Sequence, residues 1–152
     1  MDGYRRILIP TDFSVASLKA VERAAALARG FKAQVLLAYV VEKTSLTPMS
    51  LVQQVPVTLR GEGDLLGEAV EFGEKRLNEL RDAVFAGLEA ETKVIVAANA
   101  TSGILDLCAS YRPDLVIVGS HGRSYAANLL MGATAERVAR HAPAHVLIIR
   151  ER

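Results

Sequence analysis

Short runs of aliphatic and β-branched residues alternate along this chain with longer segments whose apolar residues recur at helical intervals. The runs predict five strands, at residues 5–10, 34–41, 92–97, 114–118 and 144–149. Residues 115–118 and 146–149 are apolar at every position, which is typical of strands covered on both faces. The alternation therefore predicts an α/β fold: a doubly wound, five-stranded parallel sheet with helices on both faces, joined by right-handed crossovers.

Signals for the start and end of four helices lie between these strands. Ser14 can cap the first helix, and Gly30 is expected to end it. The apolar stripe of that helix is Leu18, Val21, Ala25 and Ala28. The other three helices are predicted over about 64–85, 101–110 and 134–140, the last two ending before prolines.

The 152 residues are expected to form one domain, residues 1–152, with one long irregular stretch at about 42–63. Prolines and glycines punctuate this stretch, which exceeds the usual length of a connection between elements. Two interpretations stay open. The stretch is either a lid over a binding site or a mobile insertion.

Composition argues against several classes of function. The 18 basic and 17 acidic residues give a net charge of +1 without a block of like charges, so nucleic-acid binding through a basic face has no support. The longest apolar runs fall far short of the ~20 residues of a membrane span. The amino terminus runs directly into the first strand without the pattern of a secretory signal, and a cytoplasmic location is expected.

Two loops of the predicted sheet have residues suited to ligand binding. In a doubly wound sheet, ligands bind beyond the carboxyl ends of the strands where the winding direction reverses. Pro10, Thr11 and Asp12 lie at the end of the first strand, and Gly119 follows the fourth. Asp12 has two open interpretations, a cap or turn residue and a contact to the ligand, and both can hold together.

Three glycines punctuate the segment from the fourth strand to the fourth helix: Gly119, Gly122 and Gly132. A phosphate held by backbone N–H groups needs close approach to the main chain and often positive φ angles, and only glycine allows both at little cost. The helix predicted after Gly132 adds free N–H groups and a dipole that attract an anion. The segment is therefore either a two-part phosphate cradle or a pair of ordinary turns, and spacing alone does not decide. It matches neither a P-loop nor the dinucleotide-binding Gly-x-Gly-x-x-Gly pattern.

Four stretches of the chain resemble the universal stress protein family over essentially its whole length. They are Ile-Leu-Ile-Pro-Thr-Asp-Phe-Ser at 7–14, Leu-Leu-Ala-Tyr-Val-Val at 36–41, Asp-Leu-Val-Ile-Val-Gly-Ser-His-Gly-Arg at 114–123 and Glu-Arg-Val-Ala-Arg-His-Ala-Pro at 136–143. The resemblance implies a Rossmann-like domain that binds adenine nucleotides and acts in a stress response. In ATP-binding members, serine or threonine follows the third glycine of the pattern. Here that residue is Ala133.

The resemblance also implies which residues would contact ATP or a related adenine nucleotide, with any Mg²⁺ carried by the phosphates. Asp12 would face the adenosine portion, and Val40 with the backbone around Thr11 would frame the adenine. The glycines, with residues 133 and 134, would hold the phosphates. The full implied set is Pro10, Thr11, Asp12, Val40, Val118, Gly119, Gly122, Arg123, Gly132, Ala133 and Thr134.

Ala133 removes one hydroxyl hydrogen bond to a phosphate oxygen, worth ~1.5–3 kcal/mol, and leaves the backbone donors. We therefore expect triphosphate binding to be weakened rather than abolished. The preferred function is a nucleotide-responsive regulatory module with at most slow ATP hydrolysis. The alternative is a dimeric stress-response protein that no longer binds nucleotide and acts through unidentified protein partners. A nucleotidyl transferase or pyrophosphatase is disfavoured, because the turn after the first strand lacks a glycine-rich phosphate loop.

Several other chemically capable residues receive structural interpretations. Arg123 would either neutralise a phosphate or lie in solvent. The sequence places no second acid, nucleophile or metal ligand beside His121, so a loop-structural role is expected and no catalytic residue is assigned. Pro143 separates His141 from His145 and argues against a metal site there. The single cysteine, Cys108, is expected to be a buried apolar residue without a chemical role.

The last predicted strand, residues 144–149, is strongly apolar. Left unpaired at the edge of a sheet, such a strand is an aggregation hazard that natural proteins avoid. The hazard and the family resemblance together predict a homodimer formed through this strand.

Overall fold

The computed structural model describes residues 3–43, 65–121 and 131–150 of the chain. The strands are β1 (Arg6–Pro10), β2 (Gln34–Glu42), β3 (Ala90–Ala97), β4 (Leu115–Gly119) and β5 (His145–Ile149). The helices are α1 (Val15–Phe31), α2 (Leu65–Val84), α3 (Ala100–Tyr111) and α4 (Ala133–His141). Of the long irregular stretch predicted at 42–63, residue 42 belongs to β2 and residues 44–63 lie outside the described residues.

All five strands run parallel in one sheet, in the order β3-β2-β1-β4-β5, which confirms the predicted doubly wound fold. The chain builds the sheet outward from β1 to β3 and then returns to the other side of β1 with β4, so the winding reverses between β1 and β4. These two strands pair at Ile7–Leu115 and Leu8–Val116. Both pairs lie before the last two residues of either strand, whose carboxyl ends extend beyond the ladder.

The helices cover both faces of the sheet and enclose two layers of core. Alternate residues of β1 divide between the layers: Ile7 and Ile9 lie in the layer under α1 and α2, and Leu8 lies in the layer under α3 and α4. All three side chains are 0% exposed. A strand covered on both faces must be apolar throughout, which is the pattern that the sequence showed.

The first helix begins as predicted and ends later. Ser14 caps α1, and its side chain accepts a hydrogen bond from Ser17 N. Gly30 does not end the helix. It is exposed, and α1 continues to Phe31, where Lys32 adopts the left-handed C-cap conformation (φ 55°) and its N–H bonds to carbonyls of the last turn. Of the predicted apolar stripe, Val21, Ala25 and Ala28 are buried and Leu18 is half-buried.

Candidate functional site

The carboxyl ends of β1 and β4 lie where the winding of the sheet reverses, which is where doubly wound sheets bind their ligands. Among the described residues, the turn between β1 and α1, the end of β4 and the first turn of α4 flank this position. Gly132 N donates a hydrogen bond of 2.6 Å to the carbonyl oxygen of Ser120, which ties the start of α4 to the end of β4. The two ends of the predicted phosphate segment, at residues 119–120 and 132–134, therefore lie next to each other.

The turn between β1 and α1 is held by its own side chains. Thr11 is 5% exposed, and its hydroxyl shares a hydrogen bond of 2.9 Å with the hydroxyl of Ser17. Asp12 Oδ1 accepts a hydrogen bond of 2.9 Å from Ser14 N, which is an Asx turn. The turn interpretation of Asp12 is confirmed. The side chain is only half-buried, and its contact with a ligand stays a prediction.

Gly119 ends β4 against the first turn of α1. A Cβ atom at this position would lie 3.2 Å from Ala16 O and 3.3 Å from Ser17 N. These are backbone atoms, so they cannot give way unless the helix itself shifts. The φ of Gly119 is outside the left-handed region, so of the two properties that glycine offers only the close approach is used here. Close packing of two protein segments is what requires this glycine.

Gly132 is the N-cap of α4 and has an extended backbone, with φ −69° and ψ 155°. A positive φ is again absent, so the left-handed conformation that glycine permits is not used at this position either. Gly132 makes no side-chain cap hydrogen bond. The first-turn N–H groups, at Ala133, Thr134 and Ala135, have no acceptor within the helix itself. Ala133 is exposed and Thr134 is half-buried.

A capping box closes the start of α3 at the same edge of the sheet. The Asn99 side chain accepts a hydrogen bond from Ser102 N, and the Ser102 hydroxyl accepts one from Asn99 N. Glu42 Oε1, at the end of β2, accepts a hydrogen bond of 2.9 Å from Ala100 N. Asn99, Ser102 and Glu42 are not among the residues predicted from the sequence. Asparagine before an apolar periodic segment signals a cap, but the contact of Glu42 depends on the fold.

Val40 and Val118 form the apolar part of this edge, in the core layer under α3 and α4. Val118 is 5% exposed and Val40 is half-buried. A Cβ atom at Gly103 of α3 would lie 2.6 Å from Val40 Cγ1, so α3 contacts Val40 closely and holds its side chain. Pro10 ends β1 beside Ala38, two residues before Val40 on the neighbouring strand.

The remaining predicted residues are placed as follows. Gly122 and Arg123 lie outside the described residues. His121 Nδ1 shares a hydrogen bond of 3.0 Å with the Ser120 hydroxyl. His145 lies at the opposite end of the sheet and shares a hydrogen bond of 3.1 Å with the Tyr4 hydroxyl.

Across residues 3–43, 65–121 and 131–150, no group of three or more histidine, cysteine or acidic side chains is placed to hold a metal. Cys108 is 2% exposed, and burial raises the pKa of its thiol.

Relatives of known sequence match nearly the whole chain. Residues 3–150 match the universal stress protein family. Universal stress protein A homolog 2 of Coxiella burnetii is 31% identical over 99% of this chain and 97% of its own. A universal stress protein of Methanocaldococcus jannaschii is 29% identical over 97% of this chain and 83% of its own.

Solved structures share the fold. A second universal stress protein of M. jannaschii has a TM-score of 0.81 at 20% identity, covering 98% of this chain and 97% of that one. A universal stress protein in complex with cAMP has a TM-score of 0.65 at 23% identity, covering 98% of each chain. One from Archaeoglobus fulgidus in complex with dAMP has a TM-score of 0.59 at 17% identity, covering 98% of this chain and 99% of that one.

None of the described helices is long and apolar enough to cross a membrane. The five-stranded parallel sheet with helices on both faces is the architecture that these solved structures share with this chain. The family match extends over residues 3–150. This chain belongs to the universal stress protein family.

Proposed function

We propose that this universal stress protein binds an adenine nucleotide across the carboxyl ends of β1 and β4 and acts as a nucleotide-responsive regulatory module in the stress response. Two proteins of the same fold are known in complex with cAMP and with dAMP. Both ligands combine adenine with a single phosphate. The switch point of a doubly wound sheet is the expected place for such a ligand.

The open start of α4 is the observation that carries the proposal. Side chains cap the two other helices whose N-caps are described at this edge, Ser14 on α1 and Asn99 on α3. The N-cap of α4 is Gly132, which makes no side-chain cap bond. Backbone N–H groups and the helix dipole favour an anion at such a position. We therefore assign the phosphates to the first turn of α4, at Ala133 and Thr134.

The adenosine would lie toward β1 and β2. Asp12 has a half-buried carboxylate, one oxygen of which accepts a hydrogen bond of 2.9 Å from Ser14 N, and a carboxylate is the kind of acceptor that suits ribose hydroxyls. Val40 and Val118 offer apolar surface on the α3 side of the sheet, which suits one face of an adenine ring. Pro10, Thr11 and Gly119 would supply the main-chain wall between these two groups.

ATP, ADP and AMP all fall within the proposal, and any Mg²⁺ would arrive on the phosphates. Gly122 and Arg123 complete the proposed phosphate contacts. Hydrolysis is at most slow in this proposal, because no residue is assigned as a general base or nucleophile. His121 is engaged with the Ser120 hydroxyl at 3.0 Å.

Isothermal titration calorimetry of the purified protein with ATP, ADP, AMP and cAMP tests the proposal. The decisive variant is Gly132→Asp. Its carboxylate would cap α4 and repel a phosphate, so nucleotide affinity should fall by about tenfold or more. The extended backbone at Gly132 is one that any residue adopts, so the fold should persist. Absence of binding by the wild-type protein at millimolar nucleotide would refute the proposal.

Ala139→Asp is the matched control, because it adds the same charge to an exposed position of the same helix. It should leave nucleotide affinity within about twofold of wild type, since exposed charges more than a Debye length from a site are largely screened and nearer ones are partly so. If both variants lose affinity equally, the effect is one of net charge and does not place the phosphate at α4.

One observation favours the alternative, a dimeric interaction protein without nucleotide. The first residue of α4 is Ala133, whose exposed methyl group cannot donate a hydrogen bond to a phosphate. A bulky residue at Gly132 or Gly122 separates the two functions in cells. A scaffold should keep its phenotype if the variant folds, and a nucleotide-responsive protein should lose it.

In either function we propose that the protein is a homodimer paired through β5. β5 is an edge strand of the sheet. Its residues 146–149 are only half-buried, whereas residues 115–118 of the neighbouring β4 are buried. A partner strand would cover this apolar edge. Light scattering at micromolar concentration should give twice the monomer mass, and a monomeric mass would contradict the proposal.

A further inference from the structure

Phe13 adopts a backbone conformation that a bulky side chain rarely takes. Its φ is 62°, in the left-handed region. The two other non-glycine residues described with positive φ, Lys32 and Arg112, are helix C-caps, where this conformation is ordinary. Phe13 lies before a helix, in the turn between β1 and α1. Helix capping therefore does not account for its conformation.

Two hydrogen bonds from side chains of the turn, at Thr11 and Asp12, fix the backbone around Phe13. Thr11 Oγ1 accepts a bond of 3.1 Å from Phe13 N, and Asp12 Oδ1 accepts a bond of 2.9 Å from Ser14 N. Each bond joins a side chain to the N–H group two residues later, so the first bond ends at Phe13 and the second spans it. The orientation of the Asp12 carboxylate is thus linked to the backbone conformation of the next residue.

The Phe13 ring is held by three side chains from two other elements. Its centroid lies 4.9 Å from that of Tyr39 on β2 and 6.1 Å from that of Phe72 on α2. The guanidinium carbon of Arg76, one turn further along α2, lies 5.2 Å from the Phe13 centroid. Aromatic pairs and cations over ring faces are both favourable contacts.

Gly73 allows this cluster to form. A methyl group at Gly73 would overlap the ring of Tyr39, so the absence of a side chain lets α2 lie directly on β2. Phe72 and Arg76 flank that contact on the same helix and reach the Phe13 ring. The ring therefore connects the turn that carries Asp12 to α2.

We infer that Phe13 is a positioning residue: contacts of its ring with Tyr39, Phe72 and Arg76 hold the turn in the left-handed conformation that orients Asp12 for the nucleotide. The inference rests on the proposed function for its ligand, but the effect on the turn is independent of any ligand. Without the ring, residue 13 would keep the bond of its N–H to Thr11 Oγ1 but lose the side-chain contacts that hold this sparsely populated conformation, and the Asx turn at Asp12 should open more often.

Amide hydrogen exchange without nucleotide tests the turn itself. Phe13→Ala should speed exchange at Ser14 N–H by about tenfold or more, because local opening limits exchange at a bonded amide. Phe13→Tyr keeps the ring and should restore protection. Phe31→Ala is the matched control, since it removes a ring that packs on Tyr4 with centroids 5.3 Å apart, far from this turn in sequence. Unchanged exchange in Phe13→Ala overturns the inference.

Nucleotide affinity provides the second measurement. Phe13→Ala should bind the nucleotide about tenfold more weakly, the effect of misplacing one hydrogen-bonding carboxylate, whereas Phe13→Tyr and Phe31→Ala should bind as wild type. Phe13→Gly tolerates the left-handed conformation without the ring, and should still weaken binding. Wild-type affinity in Phe13→Gly would show that the ring contacts are unnecessary and would overturn the inference. If wild-type protein binds no nucleotide, the proposed function fails while the exchange experiment still decides the role of Phe13.

Discussion

Restoring a hydroxyl at residue 133 should tighten binding of phosphorylated nucleotides. Ala133 is the first residue of α4 and its side chain is exposed, so Ala133→Ser adds an oxygen without displacing any neighbour. A hydrogen bond to a charged oxygen is worth ~1.5–3 kcal/mol. The position is open to solvent, which favours the lower value. We expect ATP affinity to rise by about tenfold.

Calorimetry with ATP, AMP and adenosine would check this expectation and its cause. The gain should appear with ATP and be absent with adenosine, which has no phosphate. Ala26→Ser, on the exposed face of α1, makes the same chemical change away from the site and should leave every affinity unchanged. Equal gains for ATP and adenosine, or no gain for either, would refute the placement of the phosphates at α4.

Three further substitutions test the structural arguments. Ser14→Ala removes the α1 cap bond from Ser17 N and should lower stability by about 1 kcal/mol, a fall of about 2–4 °C in thermal melts; an unchanged melting temperature would contradict the cap. Gly119→Ala places a Cβ 3.2 Å from Ala16 O and should cost about 1–3 kcal/mol in urea unfolding. Gly30→Ala, within α1 and with nothing within 4 Å of its Cβ, should instead keep or raise stability, by up to about 1 kcal/mol. Burial raises the pKa of the Cys108 thiol above its ordinary value, so the folded state favours the neutral thiol. The stability that this group contributes is therefore present below the pKa of the unfolded state and is lost as pH rises through the higher pKa of the folded state. Cys108→Ala should therefore reduce the alkaline loss of stability, and native Cys108 should react slowly with iodoacetamide by mass spectrometry; rapid native labelling would contradict its burial.

The spacing of apolar residues and the positions of glycines and prolines predict most of the fold, because strands covered on both faces are apolar throughout. Every described strand end lies within two residues of its predicted position, for example Ala90 rather than residue 92 at the start of β3. Gly30 is the instructive error. Glycine frequently ends helices, but here Lys32 is the C-cap residue and adopts the left-handed conformation. Its bonds to carbonyls of the last turn, which only the structure shows, determine where α1 ends.

The candidate site is less predictable because its determinants are contacts between distant segments. Asp12 was recognisable as a turn residue from its place between a strand and a helix. The left-handed conformation of Phe13 was not, since no local signal marks a phenylalanine for it and its ring partners lie on β2 and α2. The bond from Ala100 N to Glu42 likewise joins residues 58 apart in the chain.

The glycines of the family pattern have different physical causes, and this difference determines which of them can discriminate between the two functions. Gly119 is required by packing against Ala16 and Ser17, a constraint that holds whether or not a nucleotide binds. Its presence therefore fits a nucleotide-binding module and a pure scaffold equally well. Gly132 has an ordinary extended backbone and leaves α4 without a side-chain cap, so the N–H groups of the first turn stay available to an anion. The start of α4 is therefore the part of the pattern that discriminates between the two functions: the open backbone of residues 132–134 favours nucleotide binding, and the methyl group of Ala133 weakens it.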